Sequence, residues 1–262
     1  MKTVILCGGF GTRIRDVADN IPKPMIPIGR DPILWHIMKY YASYSYNDFI
    51  LCLGYKSETI KDFFINYERR SADIMLTIGK KNEQIISENK HEEDGWRITL
   101  SETGIKAMTG ARVKRIQKYI GNDSHFMLTY GDGLGDIDIN KLVSFHKSHG
   151  KMVTVTGVKP PGRYGELGLA DDGTTVCGFN EKPQASGGRI NGGFFVCNSS
   201  FFNLLNDDET LVLEQEPMKK LVAMGELKMF EHDGFWQPMD TYREYSLLNE
   251  LYANNKAPWV KW

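Results

Sequence analysis

The sequence predicts an α/β fold: a mixed, mostly parallel sheet flanked by helices, with a small antiparallel lobe. Three observations carry that expectation. Through the first half, short β-rich runs alternate with stretches whose apolar residues recur at helical spacing. Between Pro160 and Phe195 the turn-rich "PPGRYGELG", "DDGTT" and "ASGGR" cut the chain into short strands. No internal repeat or low-complexity linker interrupts residues 1–262, so one domain is expected, with a first half of about 1–157 and a closing part of about 158–262.

The elements follow in order. "TVILC" reads as a first buried strand, and "PILWHIMKYYAS" as a helix with Ile33, Ile37 and Tyr41 on one face. "DFILCLG" is a second buried strand, "SETIKDFFINY" a helix and "IMLTIG" a third strand. The polar stretch that follows, through "GWRITL", reads as an excursion from the main sheet, its 80–95 part solvated or an oligomer contact. "GARVKRIQKYIG" puts Val113, Ile116 and Ile120 on one helical face and leads to the strand "HFMLTY" and the turn "GDGLGD". Helical "INKLVSFHKSHG", strand "MVTVTGV", helical "EQEPMKKLVAMG", strand "LKMFEH" and a last helix "TYREYSLLNELYANN" complete the pattern. In a sheet of this kind ligands sit beyond the carboxyl ends of the strands.

Composition narrows the function classes. The 32 basic and 33 acidic side chains leave a net charge of −1, so no global field draws nucleic acid or an anionic membrane. Any phosphate site must be local. No apolar run is long enough to span a bilayer, and "MKTVILCGG" is too short for a signal core, so a cytoplasmic protein is expected. Cys7, Cys52, Cys177 and Cys197 lie in apolar runs without CxxC spacing and read as buried thiols. His146 and His149, three apart on a helix, lack a carboxylate to complete a metal set and read as a solvated or partly packed face.

The chemistry begins in "CGGFGTRIRD". Gly8, Gly9 and Gly11 let the backbone approach an anion, and Arg13 after Thr12 adds a cationic fork suited to phosphate oxygens. Ile14 stands where a dinucleotide fingerprint needs its third glycine, and Thr12-Arg13 does not supply the lysine of a P-loop. Ten residues past Arg13, prolines on both sides of Lys23 in "PKPM" present it from a rigid, extended segment. Asp132 in "TYGDG" falls at a strand's carboxyl end and suits Mg²⁺ on a triphosphate, and Asp240 in "WQPMD" offers a second carboxylate or an N-cap. Asp136 and Asp138 read as turn and cap residues. "NEKP" offers Glu181 to sugar hydroxyls and Lys182 to a sugar phosphate, with a plain ion pair as the alternative. "RINGGFFV" brings Asn191 and Gly192-Gly193 up to a polyhydroxylated ligand, or marks a bulge.

Taken in order, "GGFGTR", "PKPM", Asp132, "EKP" and "NGG" resemble the sugar-1-phosphate nucleotidyltransferases. Further stretches, "PILWHIMK", "PPGRYGEL", "INGGFFV", "EQEPM", "GFWQPMDT" and "KAPW", are most similar to the branch of that family that uses CTP and α-D-glucose 1-phosphate. The resemblance implies a Rossmann-like nucleotidyltransferase fold and Mg²⁺-dependent formation of CDP-glucose and pyrophosphate, heading dideoxysugar synthesis for bacterial surface polysaccharide. It also implies a homo-oligomer, hexamer or tetramer. By the family pattern Arg13 and Lys23 handle nucleotide phosphates, Asp132 and Asp240 the metal, and Lys182 the sugar phosphate. Tyr130, Tyr164, Gly165, Glu181, Asn191 and Gly192 then belong to the sugar side. Thr109, backbone N–H groups near Gly110 and of the Gly8–Gly11 turn, and the Arg112 fork are the candidates for the base, with a helix-surface arginine as the alternative for Arg112. Cys7 and Ile21 depart from the pattern, which has a small residue and a further lysine there. The same chemistry with dTTP or UTP and another sugar 1-phosphate, and a non-catalytic sugar-nucleotide sensor, are the competing readings. A dinucleotide-dependent oxidoreductase lacks its third glycine and a ribose-binding acid.

Overall fold

The structure, a computed structural model, describes residues 1–11, 14, 21–79, 83–85, 93–160, 166–169, 174–180 and 188–262. In chain order its strands are β1 (Thr3–Leu6), β2 (Pro27–Ile28), β3 (Asp31–Pro32), β4 (Asp48–Leu53), β5 (Ile74–Leu76), β6 (Glu83–Ile85), β7 (Arg97–Glu102) and β8 (His125–Tyr130). They continue with β9 (Gly133–Gly135), β10 (Val153–Val158), β11 (Glu166–Leu169), β12 (Val176–Asn180), β13 (Ile190–Asn198), β14 (Leu227–His232) and β15 (Trp236–Pro238). The helices are α1 (Ile33–Ala42), α2 (Ser57–Ile65), α3 (Tyr67–Ser71), α4 (Thr109–Arg115), α5 (Gln117–Ile120), α6 (Ile139–His149), α7 (Glu216–Ala223) and α8 (Tyr242–Ala253).

Seven strands form the central sheet in the order β14-β10-β13-β8-β1-β4-β7. Within it β13 alone runs antiparallel to its neighbours, β8 and β10; the other pairs are parallel. The mixed, mostly parallel sheet flanked by helices is therefore as the sequence predicts. All four residues of β1 are buried, because strands on both sides and helices on both faces cover it. Strand alternation sends Val4 and Leu6 to one core, with Val113, Ile116 and Phe201, and Ile5 to the other, with Ile37, Tyr41 and Trp259. The face of α1 expected from Ile33, Ile37 and Tyr41 is buried, as are Trp35 and Met38.

Three expectations change. Ile74–Leu76 pairs with β6 in a separate two-stranded unit, and the sheet's edge is instead β7, parallel to β4. Ile98 and Leu100 of β7 lie two apart and pack on the α1-side core, a tertiary fit that apolar content alone does not reveal. Secondly, "RINGGFFV" belongs to the central sheet, and among the described residues of the Pro160–Phe195 stretch β11 and β12 form a separate antiparallel pair. Thirdly, His146 is buried, bonding through Nδ1 to Thr154 Oγ1 at 2.8 Å, and so is packed more deeply than the solvated or partly packed face expected. Asp138 caps α6 as expected, accepting from Lys141 N at 3.0 Å. Cys7, Cys52 and Cys197 are buried free thiols.

Candidate active site

The carboxyl ends of β1 and β8 open into a cleft of about 410 Å³. Cys7, Gly8, Gly9, Gly11 and Gly131 form its floor, Lys23, Asp132 and Asp240 a charged wall, and Phe10, Ile105 and Met108 an apolar one. This is the place where a parallel sheet receives a ligand, because strand-end turns can reach over it without disturbing the core.

Lys23 begins a single 3₁₀ turn, Lys23–Met25, rather than an extended segment. Pro22 and Pro24 fix the turn's entry, Met25 N donates to Pro22 O at 2.8 Å, and Pro24 and Met25 are buried. The Lys23 side chain is thus anchored at its base, and its Nζ donates to Asp132 Oδ2 and Asp240 Oδ1, each at 2.5 Å. Burial acts to lower the Lys23 pKa, but the two carboxylates outweigh it and hold the ammonium above its ordinary value. Lys23 is charged at every physiological pH.

The two carboxylates meet because of a short strand pair. The "GDGLGD" segment, read from sequence as a turn, contains β9, which pairs antiparallel with β15 so that Gly133 faces Pro238. Met239 N donates to Asp132 O at 2.9 Å and completes the clamp. Asp240 does not cap α8: Thr241 does, in a capping box with Glu244, whose Oε2 also accepts from Asp240 N at 2.7 Å. Both carboxylates, converging on one cation, suit Mg²⁺, which takes one or two carboxylates and completes its shell with phosphate and water. Among the described residues no group of three or more His, Cys, Asp or Glu side chains forms a protein-only metal cage.

Arg112 is placed differently from expectation. Its guanidinium is buried, with Nη1 donating to Leu53 O and Thr103 Oγ1 at 2.8 Å, and Nη2 to Gly8 O at 3.0 Å and Ile105 O at 3.3 Å. These acceptors turn the fork inward, where it supports the glycine turn. Gly8 leaves room for this fork: a Cβ would lie 2.1 Å from Arg112 Nη1, so the guanidinium would have to shift. Gly110 is likewise turned to the interior, its N–H donating to Leu211 O at 2.9 Å, and so is not a free donor at the cleft. The Thr109 hydroxyl accepts from Leu213 N at 2.9 Å and donates to Glu214 Oε2 at 2.7 Å.

Asn191 Nδ2 donates to Tyr130 Oη at 3.2 Å, bringing two expected sugar-side residues together. Gly192 packs against β10, and its carbonyl accepts from Trp236 Nε1 at 2.7 Å. The sequence reading missed Phe10, Ile105 and Met108, which are 55%, 61% and 46% exposed and give the cleft a flat apolar side. Their signal was an apolar residue inside polar, turn-rich segments next to the glycine run. Burial pushes the Cys7 thiol well above its usual pKa, leaving it a neutral part of the floor. Thr12, Arg13, Tyr164, Gly165, Glu181 and Lys182 lie outside the described residues.

A glycine turn, a clamped lysine and two convergent carboxylates at the carboxyl edge of a mostly parallel sheet are the parts of a protein that transfers a phosphate-bearing group. Residues 2–252 match the family model described as nucleotidyl transferase, and the chain belongs to that family. It is 46% identical over 262 residues to a glucose-1-phosphate cytidylyltransferase of Salmonella typhi, and 42% identical to a probable one of Bacillus subtilis, each spanning all of both chains. Among solved structures, HddC from Yersinia pseudotuberculosis superposes with a TM-score of 0.68 at 24% identity, covering 96% of this chain and 99% of that one, a likeness of fold.

Proposed function

We propose that this chain is a Mg²⁺-dependent cytidylyltransferase that joins CTP to α-D-glucose 1-phosphate, forming CDP-glucose and releasing pyrophosphate. The observation that carries this reading is the Lys23 ammonium held between Asp132 and Asp240 beside the glycine turn. The full-length relatives named for this activity supply the substrate pair. The competing sensor reading is disfavoured because the lysine and both carboxylates are present and assembled.

In the reaction an oxygen of the sugar phosphate attacks the α-phosphorus of CTP, and the bond to the β-phosphate breaks in line with it. The attacking phosphate is already an anion, so no general base is needed; positioning and charge neutralisation do the work. Asp132 and Asp240 would hold Mg²⁺, which when bound neutralises phosphate charge. Lys23 stabilises the charge that grows on the α-phosphate, Arg13 that on the departing pyrophosphate, and Lys182 holds the attacking phosphate. Phe10, Ile105 and Met108 offer apolar faces to the cytosine ring, while Arg112 fixes the backbone of Gly8 beneath it. A homo-oligomer in the cytoplasm completes the reading; among the described residues no helix is long and apolar enough to cross a membrane.

The test is pyrophosphate release with each of the four NTPs crossed against several sugar 1-phosphates, with and without Mg²⁺. Release confined to CTP with glucose 1-phosphate and dependent on Mg²⁺ is expected. Release with dTTP or UTP instead changes the substrates, and none with any pair leaves a sensor.

A further inference from the structure

The stretch "EQEPM" supplies a side chain that the mechanism does not use. Glu214 stands just before α7, outside the cleft lining, and is open to solvent. Both its carboxylate oxygens are nevertheless engaged. Oε2 accepts from the Thr109 hydroxyl at 2.7 Å, and Oε1 accepts from the Tyr130 hydroxyl. Thr109 and Tyr130 both line the cleft, Thr109 from the start of α4 and Tyr130 from the end of β8.

The chain of bonds continues past Tyr130. Its oxygen accepts from Asn191 Nδ2 at 3.2 Å, and Asn191 Oδ1 accepts from Gly193 N at 2.9 Å. The Tyr130 ring rests on Gly193, where φ is +82° and a Cβ would lie 2.4 Å from the ring, so the close approach excludes other residues. At the other end Thr109 starts α4, which carries Arg112 and through it the Gly8 turn. One carboxylate therefore joins the element that supports the nucleotide floor to the strand that begins the sugar side.

We propose that Glu214 is a positioning residue that couples the two substrate sites, transmitting occupancy of the nucleotide side through Thr109, Glu214, Tyr130 and Asn191 to the sugar side. The proposal rests on the nucleotidyltransferase reading above. Its chemical purpose follows from the reaction: the attacking phosphate and the α-phosphorus must be aligned together, and small misplacement of either is expensive in rate. A shared hydrogen-bonded carboxylate lets the ordering done by one substrate serve the other.

The experiment measures the Kd of glucose 1-phosphate by calorimetry with and without saturating α,β-methylene-CTP and Mg²⁺. The ratio of the two values is the coupling, and it cancels changes in intrinsic affinity. In the wild type the analogue tightens glucose 1-phosphate about fivefold or more, the usual scale of such coupling. Glu214→Gln, whose amide offers one acceptor oxygen where two hydroxyls need one each, brings the ratio close to one. Tyr130→Phe and Thr109→Val, which remove the two hydroxyls in turn, do the same, and combining either with Glu214→Gln adds nothing. Coupling retained in any of the three single variants overturns the relay, as does a wild type with no coupling. Failure of the wild type to bind either ligand overturns the functional reading itself, and the relay with it. Melting temperature for each variant separates lost coupling from lost fold, and the conservative Tyr130→Phe keeps the test open if Glu214→Gln unfolds.

Discussion

Two cations border the same cleft and are held in opposite ways. Lys23 is held by charge: two carboxylates, each able to exchange it for another cation, bracket its ammonium. Arg112 is held by neutral oxygens, three carbonyls and a hydroxyl, in a fork geometry that only a guanidinium satisfies. The difference separates chemistry from architecture. A group that must meet a ligand needs partners that the ligand can replace, whereas a group that must shape the backbone needs partners that never leave.

The largest expected effect comes from breaking the first arrangement. Lys23→Ala should lower kcat roughly 10²–10³-fold, the loss typical of one transition-state donor, while changing the KM values and thermal stability little. Steady-state kinetics beside a melting curve checks it, and a retained kcat removes Lys23 from the transition state. Arg112→Lys should do the reverse. It keeps the charge but strands several buried acceptors, costing about 3 kcal/mol in urea unfolding, with catalysis falling only as the turn loosens. If Arg112→Lys unfolds like the wild type yet loses CTP affinity, Arg112 touches the nucleotide after all.

A third setting sharpens the contrast. Where burial comes with few partners, the charge is lost altogether: desolvation lowers the pKa of both His36 and His146 to about 4 from 6.5. His36 donates from Nε2 to Ile28 O at 2.9 Å and packs beside Trp259, while His146 faces Thr154, His125 and His149, with Lys147 adding positive charge. The folded state keeps these rings neutral while the unfolded chain takes up protons below pH 6.5. Stability is therefore full above that pH and falls as the pH drops toward 4. A loss on the order of 2 kcal/mol or more between pH 7.5 and 5 is expected from urea midpoints, and a flat profile would contradict it. The smallest effect belongs to Gly8→Ala, whose methyl group must push the guanidinium aside; about 1–2 kcal/mol of overpacking cost should appear as a lower Tm.

The order of strands and helices was legible because apolar periodicity is local. What escaped was partner choice. Ile74–Leu76 and Arg97–Glu102 both read as β-forming, and it is Arg97–Glu102, with Ile98 and Leu100 packed on the α1-side core, that joins the sheet. In the site, Lys23, Asp132 and Asp240 could be found because prolines and strand ends mark them in the sequence. The inward partners of Arg112, Gly8 and Leu53, were not legible because they are far away in sequence, and helical spacing says nothing about them. Glu214 stood in a quoted stretch but gave no sign of its two hydroxyl partners, which lie on separate elements.

The strand pair that sets Asp132 beside Asp240 has a consequence for how the molecule is made. Lys23 and Asp240 are 217 positions apart, so their contact can form only once Asp240 has been synthesised. A nascent chain holding the glycine turn, Lys23 and Asp132 still lacks the second counter-charge, and with it the completed cation site. The ammonium therefore gains its second carboxylate only through a long-range contact, made by a residue that follows both the glycine turn and Asp132 in the chain.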